Sequence, residues 1–167
     1  STVAVGPRVY ERSNDNNWTQ VGSKFDGFAS SLSGNGSIVS IIGPGNPKKG
    51  LGESSGHVQI YERDGNSWSQ IGNGIDAENP DSVSEVYGMN VSLSDDGSIV
   101  AIGESGNDEN GFDSGQVRIF KNVSGAWTQI GDDIYGKDAY DEIGNALSLS
   151  GDGSIVAIGA PTHEHNW

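Results

Sequence analysis

The amino-acid sequence predicts an all-β protein built from β-propeller blades, each of them a sheet of four short antiparallel strands. Three observations lead to this prediction. Two long sequence elements recur along the chain. The apolar residues form runs of strand length, and turns that contain glycine separate these runs. No stretch of ten residues has apolar residues spaced by three and four, so we expect essentially no helix.

The recurrence is an internal repeat. The segment SGHVQIYERDGNSWSQIG at residues 55–72 returns as SGQVRIFKNVSGAWTQIG at residues 114–131, and a shorter copy occupies residues 7–22. A second element of the form S-L-S-x-x-G-S-I-V occurs three times, at residues 31–39, 92–100 and 148–156. Matches of this length indicate that one structural unit is repeated along the chain.

The third unit shows how these elements become strands. Its first strand alternates, so that Val91 and Leu93 lie on one face. A two-residue hairpin turn is expected at Asp96-Gly97, where Gly supplies a positive φ. The next run, SIVAIG, is almost wholly apolar and β-branched, as in a strand that is covered on both faces. The four predicted strands of this unit span residues 87–94, 98–103, 116–120 and 127–131.

The first two strands of a unit are expected to supply its core, because they carry most of its aliphatic residues. The equivalent turns at Asn35-Gly36 and Asp152-Gly153 should also hold Gly at positive φ. The predicted core residues of the third unit are Val91, Leu93, Ile99, Val100 and Ile102. Their counterparts in the fourth are Leu147, Leu149, Ile155, Val156 and Ile158.

The whole chain, residues 1–167, is predicted to form one β-propeller segment of about three repeats. Three, four, four and two strands are expected in the successive units, whereas a propeller needs at least about four blades. We therefore expect part of a larger propeller, and the alternative is a module whose ring closes by oligomerisation. Its partners would be further propeller blades of the same or another chain. The units cover approximately residues 1–27, 28–86, 87–143 and 144–167.

Composition excludes several other classes of protein. The chain has 167 residues, with 26 Gly, no Cys and a formal charge of −14. Without Cys there is no disulfide framework and no thiol nucleophile. The negative balance disfavours nucleic acid and anionic membrane surfaces, because both attract basic patches. No apolar run approaches the ~20 residues of a membrane helix, so we expect no membrane insertion.

The repeat resembles the FG-GAP or integrin-α-like β-propeller repeat, in the form seen in large secreted proteins of marine microbes and algae. The matching pieces are Tyr87-Gly88, Ile143-Gly144 and Gly159-Ala160-Pro161, with the two recurring elements between them. The resemblance implies an extracellular or cell-surface location. Calcium-binding repeats of this family carry a D-x-D-x-D-G loop, whereas residues 150–153 (SGDG) offer a single carboxylate. Because Ca²⁺ needs several oxygen ligands, we expect those calcium sites to be absent.

Two other segments contain residues that could bind a metal. The loop at residues 106–113 places the side-chain oxygens of Asp108, Asn110 and Asp113 around a Gly, which is a partial calcium-loop pattern. The alternative is a polar turn without a metal, and in that case we expect no cofactor. Residues 163–165 (HEH) could present two imidazoles on one face of a strand, but no third ligand is identifiable.

The recurring tryptophans and the acidic loops each allow a functional and a structural interpretation. Trp18, Trp68 and Trp127 could form stacking platforms for sugars, but the apolar residue that follows each of them favours packing between blades. The acidic loops would suit a glycosidase with paired carboxylates, yet they recur in each unit, which favours a solvated face. These carboxylates are Asp76, Glu78, Asp81, Glu85, Asp132, Asp133, Asp138, Asp141 and Glu142.

Four Asn-x-Ser/Thr sequons occur, slightly more than chance would place in a chain of this composition. Asn17, Asn35 and Asn122 are the predicted glycosylation sites, because Asn35 and Asn122 lie in or near turns where a glycan can be accommodated. Asn90 falls within a strand that is expected to be covered on both faces, so we leave it out.

The sequence as a whole predicts a non-enzymatic extracellular structural or adhesion module. A regular repeat uses its residues for stacking, and no Ser-His-Asp arrangement or phosphate-binding loop can be placed. One alternative is a carbohydrate-binding propeller that uses the tryptophans or the acidic loops, with glycans as partners. The other is a scaffold segment of a larger secreted enzyme whose active residues lie elsewhere.

Overall fold

The computed structural model describes residues 1–43, 56–78 and 89–161. These residues form fifteen β-strands in four antiparallel sheets, and they include no helix and hence no helical membrane span. The prediction of an all-β protein is therefore confirmed. The predicted strand at residues 87–94 lies partly outside the described residues, and what is described of it is β9.

The four sheets follow one another along the chain. The first has the order β1-β2-β3, from Thr2–Val5, Arg8–Arg12 and Trp18–Val21. The second has the order β4-β5-β6-β7, from Phe28–Leu32, Ile38–Gly43, His57–Asp64 and Ser67–Gln70. The third has the order β9-β10-β11-β12, from Met89–Leu93, Ile99–Glu104, Gln116–Val123 and Ala126–Gln129. The fourth pairs β14 with β15, from Ala146–Leu149 and Val156–Gly159.

Two short strands extend the second and third sheets. β8, Ile75–Asp76, pairs with the start of β6, and β13, Ile134–Tyr135, pairs in the same way with β11. Neither strand was predicted, because two residues are too few to show a period. Each lies on the same side of its partner strand as β7 or β12 does, because β5 and β10 pair with the opposite side.

The turn between the first two strands of a unit is longer than predicted. Five residues, 94–98, connect β9 to β10, so the expected two-residue turn is wrong. The Asp96 carboxylate accepts hydrogen bonds from the Ser94 hydroxyl (2.7 Å) and the Ser98 N–H (2.9 Å). The Ser94 hydroxyl oxygen in turn accepts from the Ile99 N–H (3.0 Å). Two side chains therefore satisfy the backbone that a tighter turn would have paired.

The expected positive φ of the turn glycines is confirmed at all three positions. It is +69° at Gly97 and +72° at both Gly36 and Gly153. In each turn the side chain two residues after the first Ser accepts the same hydrogen bonds, with Asn35 and Asp152 in the place of Asp96. The motif S-x-D/N-G-S therefore specifies one turn geometry three times.

The core lies where β10 and its neighbours are covered on both faces. Val91, Leu93, Val100 and Ile102 are buried, as predicted, in a cluster that also includes residues of the second sheet, whereas Ile99 is only half-buried. In the fourth unit the prediction is confirmed for Leu149, which is buried, and is wrong for Ile155, which is 69% exposed; the other three predicted core residues, Leu147, Val156 and Ile158, are half-buried. The reason is that no described strand covers β15 on its outer side.

Candidate functional site

The contacts between successive sheets are the most regular feature of the molecule. β9 lies beside β4, and β14 lies beside β9. The Leu93 N–H donates to the Ser31 hydroxyl oxygen of the preceding sheet (3.1 Å), and the Leu149 N–H donates to that of Ser92 (3.0 Å). The same side-chain-to-backbone bond is therefore made at two successive junctions.

A tryptophan marks the first two junctions at the outer edge. The Trp68 indole N–H donates to the Val21 carbonyl (3.0 Å), and that of Trp127 donates to the Ile71 carbonyl (3.0 Å). The structure thus places both tryptophans between sheets, as the packing interpretation predicted. Trp18 differs, because it is 48% exposed and its indole N–H has no acceptor among the described residues.

The turn glycines pack against the preceding sheet. A Cβ atom on Gly97 would overlap the side chain of Ile38, and one on Gly153 would overlap that of Ile99. At these positions glycine serves two purposes, since it allows the positive φ and it leaves room for the neighbouring isoleucine. Ile155 is the counterpart of these two isoleucines, and no turn of the described residues covers it.

The residue after the third sheet whose carbonyl would accept an indole N–H is also exposed. Ile130, directly after β12, is the counterpart of Val21 at the end of β3, but Ile130 is 40% exposed whereas Val21 is 3% exposed. Among the described residues, two ends of the repeat are therefore not covered by another sheet. At the first end, Trp18 offers an indole donor. At the other end, Ile130 is the counterpart of the residues whose carbonyls accept an indole N–H, and Ile155 is the counterpart of the isoleucines that a turn glycine covers.

A groove opens at the junction between the first and second sheets. It has a volume of about 560 Å³, and the rings of Phe25, Tyr61 and Trp68 form its apolar part. The Phe25 ring centroid lies 5.0 Å from that of Tyr61 and 5.8 Å from that of Trp68, both in tilted arrangements. Burial raises the pKa of Tyr61, and the charge of Asp26 raises it further. The polar lining residues are Ser23, Lys24, Asp26, Asn66 and Ser67.

Two polar side chains of the predicted calcium loop are hydrogen-bonded to backbone groups, one inside the loop and one outside it. The Asp108 carboxylate accepts the Asp113 N–H (2.7 Å), and the Asn110 side-chain amide donates to the Gly136 carbonyl (2.6 Å). Burial, together with the charges of Asp108 and Glu142, raises the pKa of Asp113. Within the described ranges, no group of three His, Asp or Glu side chains is placed to hold a metal. Calcium binding here stays a prediction.

The other acidic residues that the structure describes serve mainly as hydrogen-bond acceptors. Asp141 is buried and accepts the N–H groups of Lys137 (2.8 Å) and Asp138 (3.0 Å). Asp133 accepts from the Tyr135 hydroxyl (2.9 Å), and burial, with this carboxylate, raises the pKa of Tyr135 to about 12. Asp81, Glu85 and the histidine pair at residues 163–165 lie outside the described residues.

The three predicted glycosylation sites lie at different depths. Asn17 and Asn35 are exposed. Asn122 is half-buried, and its side-chain amide oxygen accepts the Gly125 N–H (2.8 Å). The Asn90 amide nitrogen, to which a glycan would attach, donates to the Asn145 carbonyl (3.2 Å). Glycosylation at Asn17, Asn35 and Asn122 stays a prediction.

A buried ion pair was missed by the sequence analysis. Arg118 and Glu104 are both almost fully buried, and the guanidinium donates to one oxygen of the carboxylate through Nε (2.9 Å) and a terminal nitrogen. Arg118 also donates to the Asp76 carbonyl (2.9 Å), while the Glu78 N–H donates to the second oxygen of Glu104 (3.2 Å). Burial raises the pKa of Glu104, and Arg118 opposes this rise.

The ion pair ties the segment after β8 to the third sheet. The repeat alignment contained a signal for it, because Glu104 and Arg118 replace Gly43 and Gln59 of the second unit. Since the carboxylate and guanidinium are enclosed and bonded to each other, the pair suits the joining of two units better than it suits reaction with a substrate.

No protein-family model matches this sequence, and no curated protein is significantly similar to it.

Proposed function

We propose that the chain is a segment of an FG-GAP-like β-propeller and serves as a non-enzymatic, extracellular structural or adhesion module. Its partners are further blades of the same kind, on the same or another polypeptide. The extracellular location rests on the resemblance of the repeat to that family.

The observation that carries this proposal is the repetition of one junction. The bonds to Ser31 and Ser92 are equivalent, and so are the indole bonds to the carbonyls of Val21 and Ile71. A surface that is built twice by the same contacts is a surface for adding units. Each added unit presents the same groups to the next one.

The two open ends are complementary to each other. Trp18 carries the indole donor that Trp68 and Trp127 use within the chain, and Ile130 carries the carbonyl that accepts it. Ile155 is an exposed aliphatic side chain of the kind that a turn glycine covers at the other junctions. Contact between unlike ends extends an array or closes a ring, as in heterologous assembly.

Sedimentation velocity of the 167-residue chain tests this proposal. We expect association that increases with salt, because the charge of −14 makes copies repel each other and salt screens that repulsion. Ile155→Asp should weaken the association, because it places a charge on the open face. Val123→Asp is the matched control, since Val123 is 54% exposed and its counterpart Asp64 takes no part in the junction contacts described above.

A soluble monomer of 17.4 kDa at high salt that unfolds cooperatively would contradict the proposal. Association that Val123→Asp weakens as much as Ile155→Asp would also contradict it, because the apolar surface in general would then be responsible. The salt series separates the two contributions, since an apolar contact survives the screening that removes charge repulsion.

A further inference from the structure

The first two junctions share the indole bond to the preceding sheet but differ in the residues around it. At the junction between the first and second sheets, Phe25, Tyr61 and Trp68 line an open groove. At the next junction their positions hold Ile75, Phe120 and Trp127, and the isoleucine and the phenylalanine there are buried in the core cluster. The residues at these positions therefore line a groove at the first junction, whereas two of their three counterparts are buried at the second.

The polar residues of the groove also depart from the repeat. Lys24 occupies the position of Gly74, and Asn66 occupies that of Gly125. Ser67 likewise corresponds to Ala126, and Tyr61 adds a hydroxyl to the ring of Phe120. Four positions around one cavity thus carry a hydrogen-bonding group at the first junction and none at the second. Asn66 also bonds across the junction, since its side-chain oxygen accepts the Gly22 N–H (3.3 Å). The second junction nevertheless forms without any of these four groups.

We propose that this groove binds a neutral oligosaccharide. A sugar has apolar C–H faces that pack on aromatic rings and hydroxyl groups that pair with polar side chains, and the groove offers both kinds of surface. Its volume of about 560 Å³ lies within the range of about 300–1,000 Å³ that is usual for ligand sites. This inference is independent of the open ends, because the groove lies between two sheets of the same chain.

The charges of the groove determine which kind of sugar fits. Lys24 and Asp26 carry opposite charges, so the lining is close to neutral. The chain as a whole carries −14, which repels sulfated sugars and uronic acids. A metal ion does not fit, since Asp26 is the only carboxylate among the lining residues and a hard cation needs several oxygen ligands.

The test uses the full chain and a set of neutral trisaccharides, namely cellotriose, maltotriose, mannotriose and triacetylchitotriose. Binding is measured by titration while the indole N–H resonances of the tryptophans are observed by NMR. We expect at least one of these sugars to shift the Trp68 resonance and to leave that of Trp127 unchanged. Trp127 is the internal control, because its junction is closed.

Three variants replace groove residues by small or repeat-like ones and leave the fully buried core residues unchanged. Lys24→Ala and Asn66→Ala should each weaken binding about tenfold, which corresponds to the loss of one or two hydrogen bonds. Tyr61→Phe should weaken it less, because the ring remains. Lys121→Ala is the control, since Lys121 is an exposed lysine of β11 that does not line the groove.

Three results would overturn the proposal. The first is that none of the four sugars shifts the Trp68 resonance at about 10 mM, a concentration that would fill most of a site with a Kd of about 1 mM. The second is binding that persists unchanged in Lys24→Ala and Asn66→Ala, which would place the ligand elsewhere. The third is binding of a sulfated or uronic trisaccharide in preference to all of the neutral ones. Each of these results leaves the assembly test unaffected.

Discussion

Replacing Ile102 by Ala tests the arrangement of the core. Ile102 is 0% exposed and lies in the middle of β10, between Val91 of β9 and Arg118 of β11. The substitution removes three carbon atoms from a site that is covered on both faces. At about 0.8 kcal/mol for each buried methylene, the transfer loss alone is about 2.4 kcal/mol.

The cavity that the substitution leaves adds to this cost. Strands on both sides and the second sheet hold the site in place, so it can collapse only in part, and we expect a total loss of about 3–4 kcal/mol in the free energy of unfolding. The matched variant is Ile158→Ala, at the same position of the fourth unit. Because Ile158 is only half-buried there, the same substitution should cost about 1 kcal/mol.

Urea unfolding of both variants, followed by circular dichroism, provides the comparison. The slope of the transition should remain unchanged, since a change in slope would mean that the compactness of one state had altered. A loss below about 0.5 kcal/mol for Ile102→Ala, or equal losses for the two variants, would show that β10 is not the doubly covered strand described above.

Two further predictions concern the turns. Gly65→Ala should cost about 1 kcal/mol, the usual cost of a positive φ without steric contact, whereas Gly97→Ala should cost clearly more because its Cβ would overlap Ile38; urea unfolding that gives equal costs would contradict this. Hydrogen bonds from serine lower the pKa of Asp152 from 3.8 to about 2, so the turn contributes stability above pH 4 and loses it as the pH falls to 2. Asp152→Asn should flatten the dependence of unfolding midpoint on pH in that interval, and an unchanged profile would show that the carboxylate is not stabilised by the turn.

The strands were predictable because the repeat makes the local signals agree. The SIVAIG element appears twice, and a variant of it, SIVSII, appears once; all three follow the same turn motif, so one segment supports the assignment of the others. Buried β-branched residues and a positive-φ glycine are both local requirements, and they can be read from a few consecutive residues. Ile155 shows the limit of this argument, since its exposure depends on what lies beside β15 and not on its own sequence.

The turn length could not be predicted from the glycine alone. An Asp-Gly pair between apolar runs is typical of a two-residue hairpin, and that expectation was wrong. The deciding feature is the Ser at the start of the motif, because Ser94 can accept the Ile99 N–H only when the chain has room for five residues. Side-chain acceptors therefore competed with backbone pairing, and they determined the geometry.

The groove and the buried ion pair are visible only as departures from the repeat. Glu104 is equivalent to Gly43 in the repeat, and Lys24 is equivalent to Gly74. Each change therefore places a charged group where another unit has no side chain at all. A regular repeat predicts the features that its units share, and in this chain those features are packing contacts. The residues that distinguish one junction from another must then be judged by position. Glu104 became enclosed with Arg118 and joins two sheets, whereas Lys24 remained at the surface beside three aromatic rings. The same kind of departure thus has two outcomes, and burial decides between them. An enclosed and paired charge holds the units together, whereas an exposed charge at the rim of a groove can contact a ligand.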